Sequence, residues 1–169
     1  MNYIIDGHNL ISKIPGLSLS MLDDEQRLIE LLNQYGQLSR HKIEVYFDGA
    51  PVGQAGVRNF GRVRAQFVPR HQTADDAIRT RLLRFGRAAR NWVVVTSDRS
   101  VQSAAHEAHA QVMSAEDFAD LLQTRMRQAS LYAKTRNADT TPDKPIRETL
   151  SEAEVNEWLT IFKERRKQK

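Results

Sequence analysis

Five aspartates stand at positions where carboxylates could do chemistry together. Asp6, Asp48 and Asp98 each follow a short apolar run that predicts a strand, and Asp75 and Asp76 open a predicted helix. In a parallel sheet the carboxyl ends of the strands share one edge, so we expect all five side chains there. Ionised carboxylates held close together repel unless cations neutralise them, and oxygen ligands of this kind favour Mg²⁺ or Mn²⁺. The pattern therefore predicts a divalent metal site that activates water against a phosphodiester.

Each aspartate except Asp75 also has a purely local explanation. Asp6 and Asp48 both precede glycine, which is typical of turns. Asp76 and Asp98 stand where a helix cap is expected. The capping pattern does not need Asp75, so this residue is the hardest to explain structurally. The prediction of a metal site depends on all five acids meeting at one edge, because separate turn signals have no reason to do so.

Three polar residues beside these acids are further candidates. Asn9 comes three residues after Asp6; it suits an amide that orients a carboxylate or a water, and an ordinary turn residue is the alternative. Ser97 either binds a metal-bound water or caps a helix. His8 either contacts phosphate or faces solvent, and the second is expected, since one histidine without a paired ligand does not make a metal site.

Arginine is concentrated in one stretch of the chain. Nine arginines lie between Arg58 and Arg90, with no lysine and only two acids. Such an excess attracts polyanions, and the guanidinium fork suits phosphate oxygens, although a solvated helix face is the alternative explanation. An acidic centre with a basic rim is the arrangement that a nuclease requires. Five arginines are expected to bind such a polyanion, namely RNA: Arg62, Arg64, Arg70, Arg79 and Arg99.

Alternating strands and helices must position these residues. Apolar runs predict strands over residues 3–5, 43–47, 63–67, 92–96 and 110–113. Helical spacing predicts helices over 22–38, from Thr73 onward, over 100–108 and over 114–128. Residues 50–61 hold three glycines and one proline and predict a loop. The alternation indicates an α/β fold with three layers, a mostly parallel sheet carrying helices on both faces.

The carboxyl-terminal part of the chain has a different composition. Periodicity stops, and Thr, Asp, Lys and Pro predominate up to about residue 149, as in a linker. Ser151–Glu154 forms a capping box that opens an amphipathic helix with a basic end. That end either touches nucleic acid or is solvated. We therefore expect a nuclease-type domain over residues 1–130, a linker over 131–149 and a helix over 150–169.

Composition excludes several classes of protein. The chain has no cysteine, which excludes disulfides, thiolate zinc sites, iron–sulfur clusters and a cysteine nucleophile. No apolar run approaches the roughly 20 residues that span a bilayer, and the polar amino terminus is unlike a signal peptide, so we expect no membrane partner and a cytoplasmic location. No P-loop or GxGxxG run is present, so we expect no nucleotide cofactor.

Four motifs together resemble a known family. They are YIIDGHNLI at residues 3–11, VYFDG at 45–49, TADDAI at 73–78 and VTSDR at 95–99. In this order and spacing they resemble the NYN domain of the PIN-like nuclease superfamily, in its YacP-like bacterial branch, over roughly residues 2–127. The resemblance implies a PIN-like sheet of strand order 3-2-1-4-5 and an endoribonuclease that depends on Mg²⁺ or Mn²⁺. Relatives in this branch include ribosome-associated mRNA endonucleases, so it also implies mRNA as the substrate and the ribosome as a partner.

The resemblance assigns roles to the residues at the predicted sheet edge. It implies catalytic, metal-binding carboxylates at Asp6, Asp75 and Asp98. It implies further metal ligands at Asp76 and Asp48, with Asn9 in catalytic support. Two functions follow: a metal-dependent endoribonuclease that uses water as the nucleophile, and a non-catalytic module that binds RNA or a ribosome through the same fold.

Overall fold

The computed structural model describes residues 1–17, 23–51 and 53–138. Contacts within the chain divide it into Met1–Ala133 and Lys134–Lys169, and the fold below is that of the first unit. Its strands are β1 (Asn2–Asp6), β2 (Lys42–Ala50), β3 (Gly56–Phe60), β4 (Val63–Pro69), β5 (Trp92–Val95) and β6 (Gln111–Met113). Its helices are α1 (Gly7–Ile11), α2 (Asp24–Ser39), α3 (Ala74–Phe85), α4 (Arg99–Glu107) and α5 (Ala115–Ala138), with a 3-10 helix at Gly86–Asn91.

The strands form one six-stranded sheet of order β3-β4-β2-β1-β5-β6. Five of them are parallel, and only β3 is antiparallel to its neighbour. With β3 set aside, the order is the 3-2-1-4-5 that the resemblance implies, so the α/β class and the parallel sheet are confirmed. The central strand β1 is buried on both faces because Ile4 and Ile5, which point to opposite sides, are both fully covered.

Helices cover both faces of the sheet. One core cluster joins α2 and α5 to the face that carries Ile5 and Val45. The other joins α3 and α4 to the opposite face, which carries Ile4 and Val94. The predicted three-layer arrangement is therefore present, and it leaves the strand ends open as the place for a site.

Two elements in the amino-terminal half of the domain differ from the prediction. The interpretation of residues 50–61 as a loop is wrong in part, because Gly56–Phe60 forms β3. This strand lies at the sheet edge and is mostly exposed, so it shows no apolar alternation for sequence analysis to detect. The predicted turn after Asp6 is instead the short helix α1. At Gly7 a Cβ atom would meet the Phe47 ring at 2.3 Å, so the chain can enter α1 this closely only with glycine.

At the other end of the domain, helix α5 continues to Ala138. It thus passes the end predicted near residue 128 and enters the stretch predicted as a linker. The predicted linker beyond residue 138 and the predicted helix over 150–169 lie outside the described residues. The domain boundaries stay predictions.

Candidate active site

Asp6, Asp48, Asp98 and the acids of α3 all lie at the carboxyl edge of the parallel strands. Asp6 is the last residue of β1, and Asp48 lies near the end of β2. Asp98 follows β5 and precedes α4, and Asp75 is the second residue of α3, after the loop that follows β4. The crossover connections of the fold return each strand in the same direction, so these positions converge without any special local structure.

Asp6 is the most buried of these acids, with 9% of its surface exposed. Its Oδ1 accepts a hydrogen bond of 3.2 Å from the backbone N–H of Asn9 and so caps α1. Burial raises the pKa of the Asp6 carboxyl, and the negative charges of Asp75 and Asp48 raise it further. The surroundings of Asp6 therefore disfavour its ionised carboxylate unless a cation is near.

Asp75 is the centre of the cluster. Its pKa is raised by burial first and then by the charges of Asp98, Asp76 and Asp48, while Arg79 opposes the shift. Asp75 in turn acts on Asp6. Acids that come from four separate parts of the chain therefore lie within electrostatic reach of one side chain. The five aspartates therefore share one edge of the sheet, and their convergence on a single cation stays a prediction.

Asp98 and Asp76 also take part in helix caps. Oδ1 of Asp98 accepts hydrogen bonds from the N–H groups of Ser100 at 2.7 Å and Val101 at 3.1 Å, which makes it the N-cap of α4. Thr73 Oγ1 accepts the N–H of Asp76 at 3.2 Å and caps α3. Capping α4 and binding a cation are compatible roles for Asp98. The cap fixes one carboxylate oxygen, and the negative charge still raises the pKa of Asp75.

Asn9 connects the two central strands at this edge. Its backbone N–H binds Asp6, and its side-chain Oδ1 accepts the N–H of Ser97 at 3.0 Å. Ser97 Oγ donates to Glu116 and accepts the N–H of Ala115 at 3.1 Å, so it caps α5. Asn9 therefore ties the end of β1 to the segment that carries Asp98, as expected of a residue that positions carboxylates.

Glu116 extends this network away from the acids. It accepts a hydrogen bond from Ser97 and forms a salt bridge of 2.8 Å with Lys13. The hydrogen bond from Lys13, followed by that from Ser97, lowers the pKa of Glu116 to about 2. Ser97 is thus held between Glu116 and the first N–H of α5, and its role toward a metal-bound water stays a prediction.

His8 is the residue that sequence reasoning missed. Its Nδ1 lies 2.6 Å from Asp48 Oδ1 and its Nε2 lies 3.1 Å from Glu25 Oε1. Ionised carboxylates only accept hydrogen bonds, so this geometry favours the imidazolium form, in which both ring nitrogens donate. The bond to Glu25, and then the bond to Asp48, raise the pKa of His8 against the effect of burial. The expectation that His8 faces solvent is wrong, and no spacing pattern could have paired it with Glu25 in α2.

The predicted arginines divide between opposite edges of the sheet. Arg79, which lies near Asp75 and donates to Ser100, is beside the acids, and Arg70 and Arg99 follow β4 and Asp98 at the same edge. Arg62 and Arg64 lie at the start of β4. Seven strand residues separate the two edges, which is about 20 Å at ~3.3 Å per residue. Arg62 and Arg64 therefore do not border the acid cluster.

The acids fit a hard divalent cation by their chemistry. They offer carboxylate oxygens, and their mutual repulsion raises the pKa of Asp6 and Asp75, which a cation would reverse. Within residues 1–17, 23–51 and 53–138, no group of three or more His, Asp or Glu side chains is arranged to hold one ion directly. Binding would therefore require side-chain rotation, and Asp48 would first share its oxygens with His8.

Comparison with known proteins agrees with this architecture. The profile of the YacP-like NYN domain family matches residues 3–163, beyond the 2–127 that the four motifs cover. No curated protein matches the chain. A crystal structure of Rae1 (YacP) from Bacillus subtilis shares the fold, with a TM-score of 0.71 and 22% identity over 99% of this chain and 95% of that one. A mutant of the same protein gives a TM-score of 0.69 and 22% identity over 83% and 86%.

No helix among the described residues is long and apolar enough to cross a membrane. The NYN domains are typically nucleases. The family match spans nearly the whole chain, and the two solved structures reproduce its sheet and helices. This chain belongs to the YacP-like NYN domain family.

Proposed function

We propose that this protein is an endoribonuclease that depends on Mg²⁺ or Mn²⁺ and hydrolyses RNA phosphodiester bonds. The observation that carries the proposal is the position of Asp75, whose charge interacts with those of Asp6, Asp48, Asp76 and Asp98. A folded protein concentrates like charges in this way at a cost, and such clusters with raised carboxyl pKa values are characteristic of functional sites. Membership of a family that is typically nuclease gives the reaction class.

Each residue has a role that its contacts support. Asp6, Asp75 and Asp98 would hold the cation, with Asp76 and Asp48 as additional oxygen donors. A bound divalent cation supplies activated water and offsets charge at the phosphate. Asn9 keeps Asp6 and the Asp98 segment at a fixed separation through its two hydrogen bonds.

Two cations at the same edge are placed to meet the substrate. Arg79 of α3 donates to Ser100 in the first turn of α4 and lies close to Asp75. Arg99 is exposed on the first turn of α4. Both can offer guanidinium donors to phosphate oxygens on either side of the scissile bond. They also reduce the repulsion between the acid cluster and the polyanion.

Paired substitutions test the proposal. Asp75→Asn and Asp98→Asn should each reduce cleavage by more than the ~10–100-fold that loss of an outer partner of a metal ligand costs. RNA binding should persist. Asparagine retains the helix cap of α4, so Asp98→Asn changes the charge and not the fold. Asp120→Asn, an exposed acid of α5, is the matched control and should cleave normally. Full activity of both site variants would reject the proposal.

A non-catalytic module that binds RNA or a ribosome is the second candidate. It is favoured by the absence, in the described residues, of three acidic or histidine side chains already arranged around one point. Calorimetric titration with Mn²⁺ separates the two candidates. The enzyme should show a binding heat that Asp75→Asn removes, whereas the module should show none that depends on this carboxylate.

We propose mRNA as the substrate and the ribosome as a partner from the resemblance to the YacP-like branch. Sedimentation with purified ribosomes tests the association directly. The protein should pellet with ribosomes at low salt and dissociate as salt rises, since contacts to RNA phosphates release counterions. Failure to pellet at low salt would remove the ribosome from the proposal and leave the nuclease unaffected.

A further inference from the structure

A second basic surface lies on the sheet face between α3 and the strands β2 and β4. Helix α3 packs over Ile4 and Val94 of the central strands and over Tyr46 of β2 and Val68 of β4, which leaves the rest of β2 and β4 on this face uncovered. Two adjoining cavities fill the uncovered part, with volumes of about 530 Å³ and about 190 Å³. Arg64 and Arg81 line both, so the cavities adjoin, and together they are called the groove here.

The groove is strongly cationic. Its lining includes Lys42, Arg62, Arg64, Arg81 and Arg84. Among the described residues that line the two cavities, Glu44 is the only acid.

Glu44 is fully engaged by the groove's own arginines. Arg81 donates to it twice, with Nε 2.8 Å from Oε2 and Nη2 2.5 Å from Oε1, and Arg64 Nη1 lies 3.4 Å from Oε1. This bond pattern fixes the Arg81 fork and still leaves donors of Arg64 free to turn toward the groove. Lys42, Arg62 and Arg84 form no ion pair with the described residues. The carboxylate therefore orders the groove without cancelling its positive charge.

The groove leads from the amino edge of the sheet to the acid cluster. Lys42 and Arg62 stand at the start of β2 and β4, whereas Gln72 lines the other end and lies three residues before Asp75. Asp76 precedes the groove residue Thr80 by four positions on α3, so the two share a helix face. A ligand that follows the groove along α3 therefore comes within one helical turn of Asp76, the acid of the cluster on this face of the helix.

We propose that this groove binds the backbone of single-stranded RNA and guides it to the acid cluster, an inference that rests on the proposed ribonuclease function. Arginine donors along a channel follow phosphates without reading bases. Arg62 and Lys42 lie about 20 Å along β4 from the edge that carries the acids, so only an RNA that extends beyond the acid cluster reaches them.

Binding is measured apart from cleavage so that the two proposals can fail separately. All proteins carry Asp75→Asn and are titrated in a chelator against fluorescein-labelled oligouridylates by anisotropy. The oligonucleotides have about 4 and about 16 nucleotides, the range of site sizes for grooves of this kind. Arg62→Ala and Arg84→Ala test the groove. Both arginines are exposed and outside the Glu44 ion pairs, so the fold should persist, which circular dichroism verifies.

Arg127→Ala is the matched control. It removes the same charge from an exposed position of α5, on the opposite face of the sheet. We expect each groove variant to bind the long RNA several-fold more weakly, with the slope of log K against log salt reduced by about 0.7 for each lost phosphate contact. The short RNA, placed at the carboxylates, should bind Arg62→Ala as it binds the parent protein, and Arg127→Ala should match the parent throughout.

The remaining outcomes decide the matter as well. Equal binding of long RNA by parent, Arg62→Ala and Arg84→Ala would overturn the groove. A loss with Arg127→Ala as large as with the groove variants would also overturn it, because binding would then follow total charge. If the groove variants weaken binding as expected but the protein with Asp75 intact cuts no RNA with Mg²⁺ or Mn²⁺, the groove holds and the proposed ribonuclease function fails.

Discussion

Neutralising Asp75 should stabilise the metal-free protein while it removes cleavage. The folded protein raises the pKa of this carboxyl, so the ionised form is less favourable in the folded than in the unfolded chain. Stability is therefore lost as pH rises from the unfolded pKa of about 3.9 through the higher folded pKa. At neutral pH the ionised group destabilises the fold, and Asp75→Asn relieves that cost.

The size of the effect follows from the neighbours of Asp75. Like charges near a partly exposed group interact by about 1 kcal/mol at close range in high dielectric, and less beyond it. Four carboxylates surround Asp75 at various separations, for a repulsion of roughly 2 kcal/mol in total. Losing the favourable charge at the first turn of α3 and the attraction to Arg79 costs about 1 kcal/mol. The net gain is about 1 kcal/mol, or roughly 2–4 °C in Tm for a chain of this size.

Thermal unfolding in chelator and in Mn²⁺ is the assay. In chelator Asp75→Asn should melt a few degrees above the wild-type protein. Mn²⁺ at about 100 times its Kd should stabilise the wild type by about 2.7 kcal/mol and the variant by little, so the order of the two melting temperatures reverses. A variant that is less stable than wild type in chelator, or an equal shift of both proteins by Mn²⁺, would refute the account of the cluster as a site held apart by repulsion.

Three further substitutions test other parts of the structure. Gly7→Ala should destabilise the protein by about 1–3 kcal/mol in urea unfolding, since its Cβ would lie 2.3 Å from the Phe47 ring; unchanged stability would contradict the close packing. Glu44→Gln should lower Tm by roughly 4–8 °C, because it weakens charge-assisted hydrogen bonds to the partly exposed Arg81 that are worth about 2 kcal/mol. A coupling energy near zero in a double-mutant cycle with Arg81→Gln would show that the pair does not stabilise the fold. His8→Gln should cost more stability at about pH 6 than at about pH 9, because a raised histidine pKa contributes fully below the unfolded value of about 6.5 and is lost as pH rises through the folded value. A pH-independent difference for His8→Gln would indicate that the ring is not charged.

The sequence predicted the parallel sheet and the placement of the acids at one edge of it because both depend on chain-level regularities. Apolar runs such as 92–95 identify buried strands, and right-handed crossovers then place every strand end at one edge. The partners of His8 and Glu44 were not predictable in this way. Glu25 and Arg81 reach them from helices far along the chain, and only the packed helices determine which side chains meet. The exposed strand β3 was missed because an edge strand has no buried face to leave a pattern.

The arginine-rich stretch shows what a linear charge run can and cannot reveal. Between Arg58 and Arg90 the sequence records a strong positive excess but no direction. Strand β4 runs from the amino edge to the carboxyl edge, and α3 returns in the opposite sense. The same run therefore supplies Arg62 at one edge and Arg79 beside the acids, so the excess becomes a surface that spans the sheet instead of a rim around one point.

In this fold a carboxylate can cap a helix and still be available as a metal ligand, so the two interpretations of Asp6 and Asp98 are compatible. In a parallel α/β sheet, a strand ends at the edge where the next helix begins, so a carboxylate that caps this helix stands at the site by construction. Asp6 caps α1 and Asp98 caps α4, each through Oδ1. Each cap fixes its side chain and uses only one carboxylate oxygen. The second oxygen binds no described residue and is therefore the one available to a cation. Replacing Asp98 by asparagine or by alanine separates the two roles. If the cap serves to position the site, the asparagine variant should lose cleavage without losing stability, and the alanine variant should lose cleavage and be about 1 kcal/mol less stable than the asparagine variant.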